Sequence, residues 1–191
     1  MGKEPELVRE VEKFRLDIVG LTLTHGKGSG TSLLERGWTL YHSGVADGER
    51  RRAGVAILIA PQLSACILEF ILVDEKVASL RLWVGGRILT VVCAYGPNCC
   101  LGLWPKLQFS VSTLFGVLRG SGGECSFWGL SRPPGHKGIH MCTWHQDALG
   151  HISMIDFVVA SSHLRPHVLD TRVKRGAELS TDHHLVVSWL Q

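Results

Sequence analysis

The strongest constraint on the fold is a pair of β-rich segments, residues 76–84 and 87–95, separated only by Gly85 and Gly86. A two-residue Gly-Gly connection between such segments predicts a tight hairpin. Residues 38–42 and 53–60 flank the polar stretch ADGERRR and predict a second hairpin. Further strands are predicted at residues 16–22, 155–160, 168–173 and 185–190.

Two segments have helical spacing. Residues 4–14 combine acids in the first turn with apolar residues on one face, which predicts an amphipathic helix. A second helical face runs along residues 107–118 through Leu107, Val111, Leu114 and Leu118. Residues 119–138, rich in Gly, Ser and Pro, are predicted as loop. Mixed strands with few helices favour an α+β or layered sandwich domain.

The size and composition predict one packed domain spanning residues 1–191. With 45% hydrophobic and 19% charged residues, the chain is unlike a disordered one, and its net charge of +3 is compatible with a polyanionic partner. The first residues are charged and no apolar run has membrane-spanning length, so we expect an intracellular chain, nuclear or cytoplasmic and not secreted. Six cysteines without a C-x-x-C pair predict reduced thiols.

Four short stretches invite a chemical interpretation: residues 94–98 (AYGPN), 142–145 (CTWH), 153–157 (SMIDF) and 180–184 (STDHH). Each has a structural alternative when taken singly. A Tyr-Gly-Pro often ends a strand, and an Ile-Asp at a strand start often places a solvated or capping aspartate there.

Together and in this order, the four stretches resemble the endonuclease/exonuclease/phosphatase family, in the branch of non-LTR retrotransposon endonuclease domains. The likeness covers residues 6–98 and 136–191, and it leaves an atypical, shortened segment at residues 99–135. It implies an α+β fold, a layered β-sandwich flanked by helices (DNase I-like), here truncated. It also implies Mg²⁺-dependent phosphodiester hydrolysis, with DNA as partner and neither a membrane nor an obligate protein partner.

The resemblance implies a role for each motif residue. His183 matches the general base, Asp156 the aspartate that orients it, and Tyr95 the tyrosine that donates to the phosphate. Asp182 matches the carboxylate of the metal or phosphate site. The residues that would contact nucleic acid are Asn98, Thr143 and Trp144.

Two departures from the family pattern imply impaired catalysis. Leu23 stands where the family has a metal-binding glutamate, and leucine cannot bind a metal. The Gly-Asp-Phe-Asn motif, which positions the nucleophile and the phosphate, is absent from the interval between Asn98 and Thr143. Because such groups act as a unit, losing one can cost about 10⁴-fold in rate.

Two alternatives stay open. One is a binding remnant without hydrolysis, in which basic residues contact phosphates: Arg50, Arg51, Arg52, Arg172, Lys174 and Arg175. For residues 50–52 a solvated hairpin turn is the favoured interpretation, because charge runs usually mark solvent-facing segments. The other alternative is a zinc site of His140, Cys142 and His145, which lacks a clear fourth ligand.

Overall fold

The computed structural model of the chain describes residues 4–22, 24, 28–45, 54–73, 75–94, 113–117, 142–146, 150–153, 156–160, 164–177, 181 and 183–191. These residues form one α-helix, α1 (Glu4–Lys13), and thirteen strands. The strands are β1 (Ile18–Thr22), β2 (Gly30–Leu33), β3 (Thr39–Ser43), β4 (Val55–Ile59), β5 (Ile67–Leu72), β6 (Val77–Val84), β7 (Arg87–Ala94), β8 (Thr113–Val117), β9 (Trp144–Gln146), β10 (His151–Ser153), β11 (Asp156–Ala160), β12 (Val168–Lys174) and β13 (Leu185–Leu190).

The strands form two larger sheets and two hairpin-sized ones. The four-stranded sheet has the order β1-β4-β3-β2, and the five-stranded sheet has the order β11-β8-β7-β6-β5. β9 pairs with β10 and β12 pairs with β13. Every described pairing is antiparallel except that of β8 with β11, which is parallel.

Strand β4 lies at the centre of the core, because all five of its side chains are buried. Val55, Ile57 and Ile59 pack against β6 and β7 of the five-stranded sheet. Ala56 and Leu58, on the opposite face of β4, pack against α1. The continuous apolar run of β4 is typical of a strand buried on both faces.

The expectation of a helix-flanked, DNase I-like sandwich is wrong. The described residues are mostly strands, and their single α-helix covers only the outer face of the four-stranded sheet, through Val8 and Val11. Beyond the five-stranded sheet, Trp83 and Ile88 are exposed rather than covered. No described helix is long and apolar enough to cross a membrane.

The second predicted helix is wrong at residues 113–117, which form strand β8; the rest of its span lies outside the described residues. Thr113, Phe115 and Val117 favour extended structure, and Gly116 disfavours a helix interior. β8 pairs with β7 on one side and with β11 on the other, so a sheet position outweighs the weak helical spacing.

Most of the predicted strands are confirmed, as is helix α1. The hairpin of β3 and β4 forms as predicted, although its turn lies outside the described residues. The last strand, β13, pairs with β12 in a separate two-stranded sheet. β13 packs against β11, and its buried Val187 lies outside the two clusters around β4. The predicted loop at residues 119–138 lies outside the described residues.

The β6–β7 hairpin turns through Gly85 and Gly86, whose φ angles are +59° and +77°. Positive φ at both central residues is what a type I′ turn requires. We expect Gly86→Ala to lower the free energy of unfolding by about 1–2 kcal/mol, because a Cβ disfavours this backbone region. Gly86→Asn should cost less, since asparagine tolerates it better.

Urea titration of both variants checks this expectation. Gly30→Ala is the matched control, because Gly30 has no positive φ and an added Cβ would meet only ordinary contact with His42 at 3.5 Å. Equal stability of Gly86→Ala and wild type would show that the turn does not require glycine.

Candidate functional site

Two of the four motif stretches meet through their backbones. Trp144 at the start of β9 forms an antiparallel bridge with His183, just before β13. The backbone N–H of His184 donates to the carbonyl oxygen of Thr143 over 2.6 Å. The pairs Thr143-Trp144 and His183-His184, far apart in sequence, are therefore neighbours in the fold.

The side chains at this bridge differ in access to solvent. Thr143 is fully buried, whereas Trp144 and His183 are half-buried. The backbone N–H of His183 donates to the hydroxyl of Thr181 over 3.2 Å, a local contact that orders the chain entering β13. A ligand approaching the bridge would meet Trp144 and His183, while Thr143 contributes to the interior.

A second pair of histidines stacks beside the bridge. The imidazoles of His145 and His184 have centroids 5.0 Å apart and planes 14° apart. Each histidine directly follows a bridge residue, so the same backbone pairing brings both rings together. The spacing of histidines along the sequence gave no signal of this contact.

Strand register relates Asp156 to the end of β7. Asp156 lies opposite Thr113, and the next row across the sheet joins Phe157, Leu114 and Ala94. Tyr95 follows Ala94 directly in the chain, so β7 ends at the edge of the sheet where Asp156 begins β11.

The end of β1 lies at the same edge. The thiol of Cys93 donates to the carbonyl oxygen of Leu21 over 3.4 Å, which places the last residues of β1 beside the last residues of β7. Position 23, where the resemblance would require a carboxylate, follows β1 immediately. The end of β1, the end of β7 and the start of β11 therefore lie on the same side of the fold.

Three predicted site residues lie outside the described residues: Tyr95, Asn98 and Asp182. Leu23, which stands in the place of the family's glutamate, lies outside them too. Residues 50–52 lie outside them as well. Asp156 is described only through its backbone. The expected hydrogen bond between Asp156 and His183 therefore stays a prediction.

The described donor groups do not fit a metal ion. Among the residues that the structure describes, no group of three or more His, Cys, Asp and Glu side chains could hold one. Of the zinc alternative, Cys142 and His145 are described and His140 is not. Magnesium prefers several oxygen ligands in near-octahedral geometry, and the expected ligand Asp182 lies outside the described part of the chain.

Comparisons with known proteins add no relative. No family model matches the chain, and no curated protein matches it either. The resemblance to the endonuclease/exonuclease/phosphatase family therefore rests on the sequence itself, over residues 6–98 and 136–191.

Proposed function

We propose that this chain is a retroelement-derived domain of the phosphodiesterase type that binds DNA and hydrolyses it poorly or not at all. The observation that carries the proposal is the backbone bridge between Trp144 and His183. It joins two stretches that the resemblance assigns to one site. The proposal concerns these site residues and does not require a helix-flanked fold.

The proposed chemistry divides between the two motifs. His183 is the base that would take a proton from water, because a histidine titrates near neutral pH. Asp156 would orient its imidazole and stabilise the protonated form. Trp144 and Asn98 would contact the nucleic acid, and Tyr95 would donate a hydrogen bond to the phosphate.

The chain lacks residues on which phosphodiester hydrolysis depends in the family. A phosphodiester is anionic, so attack on it needs charge neutralisation by a hard cation or by equivalent donors. Leu23 supplies no ligand, and Asp182 is the main motif carboxylate left for Mg²⁺. Without the Gly-Asp-Phe-Asn motif, no matched residue positions the attacking water.

The expected compartment follows from the proposed partner. We expect the chain in the nucleus or in the cytoplasm, where it could meet DNA, and we expect no obligate protein partner. A reducing compartment is also the one in which thiols such as Cys66 and Cys93 stay reduced.

We expect the purified chain to show little or no Mg²⁺-dependent nicking of supercoiled plasmid. Leu23→Glu alone should not restore nicking, because the groups that position the nucleophile would still be missing. Gel assays of wild type, Leu23→Glu and His183→Ala, each with and without EDTA, measure this.

Robust nicking by wild type that disappears with EDTA and in His183→Ala would overturn the proposal of impaired turnover and support the assigned site.

A binding remnant is the second candidate, favoured by the exposed guanidinium of Arg172 on β12. It predicts salt-sensitive DNA binding that His183→Ala leaves unchanged, whereas a retained phosphate site predicts weaker binding in that variant.

A further inference from the structure

The sheet of β12 and β13 exposes an indole with a cation over it. Trp189 is 37% exposed, and the ammonium of Lys174 lies 5.0 Å from the centroid of its ring. Cations in this position are attracted by the electron-rich face of the indole. The neighbouring Leu190 is also exposed, so the end of β13 presents apolar surface beside a positive charge.

Strand β12 and the turn after it supply most of the charge on this sheet. Within residues 168–176, Arg172, Lys174 and Arg175 are basic and Asp170, which lies opposite Trp189, is the single acid; β13 has no charged residue. The guanidinium of Arg172 forms an ion pair with the carboxylate of Asp170 over 2.5 Å, yet the Arg172 side chain remains 68% exposed. The surface is therefore positive overall, with an aromatic ring within it.

We propose that Trp189, Lys174 and Arg172 form a binding surface for single-stranded nucleic acid. A base would stack on the indole in place of the Lys174 ammonium, which would move from the ring face to a phosphate beside that base, while the Arg172 guanidinium would meet the phosphate on the other side. The inference deepens the proposed function, on which it rests, by naming the form of nucleic acid. Trp189 lies six residues beyond His183, roughly 20 Å along an extended strand, so a bound strand could extend from one toward the other.

A duplex fits this surface less well than a single strand. Bases inside a duplex are stacked on their neighbours and offer only their edges, whereas an unpaired base offers a face to an aromatic side chain. Trp83 shows the contrast within the same protein. It is 51% exposed, but its partner across the β6–β7 hairpin is the exposed Ile88 rather than a cation.

Fluorescence anisotropy with labelled oligonucleotides tests the proposal. The probes are an oligothymidylate and an oligouridylate of about twelve nucleotides and a duplex of equal length, at about 50 mM and about 200 mM salt. We expect a single strand to bind more tightly than the duplex, with the tighter of the two strands identifying DNA or RNA. Trp189→Ala should weaken binding of the single strand by about tenfold, and Trp189→Phe by less.

Trp83→Ala is the matched control, because it removes an equally large exposed ring from the five-stranded sheet, away from β12 and β13. Lys174→Ala should reduce the dependence of single-strand affinity on salt. Equal weakening by Trp189→Ala and Trp83→Ala, or tighter binding of the duplex, would overturn the inference and leave the proposed function standing. Absence of binding to all three probes at low salt would overturn both.

Discussion

Leu58→Ala should lower the free energy of unfolding by about 2–5 kcal/mol. Leu58 is completely buried in β4, where it packs among Val8 and Val11 of α1, Val19 of β1 and Leu40 of β3. Truncation removes apolar contacts from several elements and leaves a cavity that rigid strands cannot fill. Denaturant unfolding followed by circular dichroism measures the loss.

The adjacent Ile57 tests the packing between β4 and the five-stranded sheet. Its side chain lies on the other face of β4, with Leu80 and Val91 of the five-stranded sheet, and it is completely buried too. Ile57→Ala should therefore cost as much as Leu58→Ala. Leu33→Ala, at a residue that is 77% exposed, should change stability by less than about 0.5 kcal/mol. A small loss of stability in Leu58→Ala with a large one in Ile57→Ala would mean that α1 does not cover the face of β4 that carries Leu58.

Local pattern sufficed for the elements whose side chains and turns agree. The Gly85-Gly86 connection predicted the β6–β7 hairpin, and the structure shows positive φ at both glycines. Residues 38–42 and 53–60 around a polar stretch predicted the β3–β4 hairpin, and the amphipathic spacing at the N-terminus predicted α1. In these segments, periodicity and turn chemistry favour the same structure.

Tertiary context determined the elements that pattern misplaced. β8 was predicted as helix because Leu114 and Leu118 fall on a helical face, but β7 and β11 flank the segment and complete its hydrogen bonds as a strand. The helix-flanked architecture came from the family resemblance, and no periodicity supported helices beyond the two predicted. Strand β5 is absent from the predicted strands. Several of its exposed side chains are apolar, so its sequence lacks the alternation of apolar and polar residues by which a half-buried strand is recognised.

The candidate site was predictable only as a set of motifs. Nothing in the spacing of Trp144 and His183 indicates a bridge, since such long-range pairing depends on how β9 and β13 are placed by the rest of the fold. The stacking of His145 on His184 follows from that bridge and was missed for the same reason. The cation over Trp189 joins residues of two strands and likewise needs the β12–β13 pairing.

Cys93 should resist alkylation in the folded protein by about 10³-fold relative to the unfolded chain near pH 8. Its side chain is completely buried, and burial raises the pKa of its thiol from 9.0 to about 12. Only the thiolate reacts, so each unit by which the pKa rises lowers the reactive fraction about tenfold. Iodoacetamide labelling with peptide mass spectrometry, with and without denaturant, measures the ratio. Labelling of native Cys93 as fast as that of the half-buried Cys66 would contradict it.

The same thiol should make the protein less stable as pH rises from about 9 to about 12. Below this window Cys93 is protonated in both states and contributes no pH dependence. Within the window the unfolded thiol ionises while the folded one does not, so unfolding releases a proton and stability falls by up to about 1.4 kcal/mol per pH unit. Burial also raises the pKa of Tyr41, which adds a loss of the same sign. Comparing the pH slopes of wild type and Cys93→Ala in urea unfolding isolates the thiol, because Tyr41 is present in both. The slope should be shallower in Cys93→Ala, and parallel curves would show that Cys93 ionises as readily in the folded state as in the unfolded one.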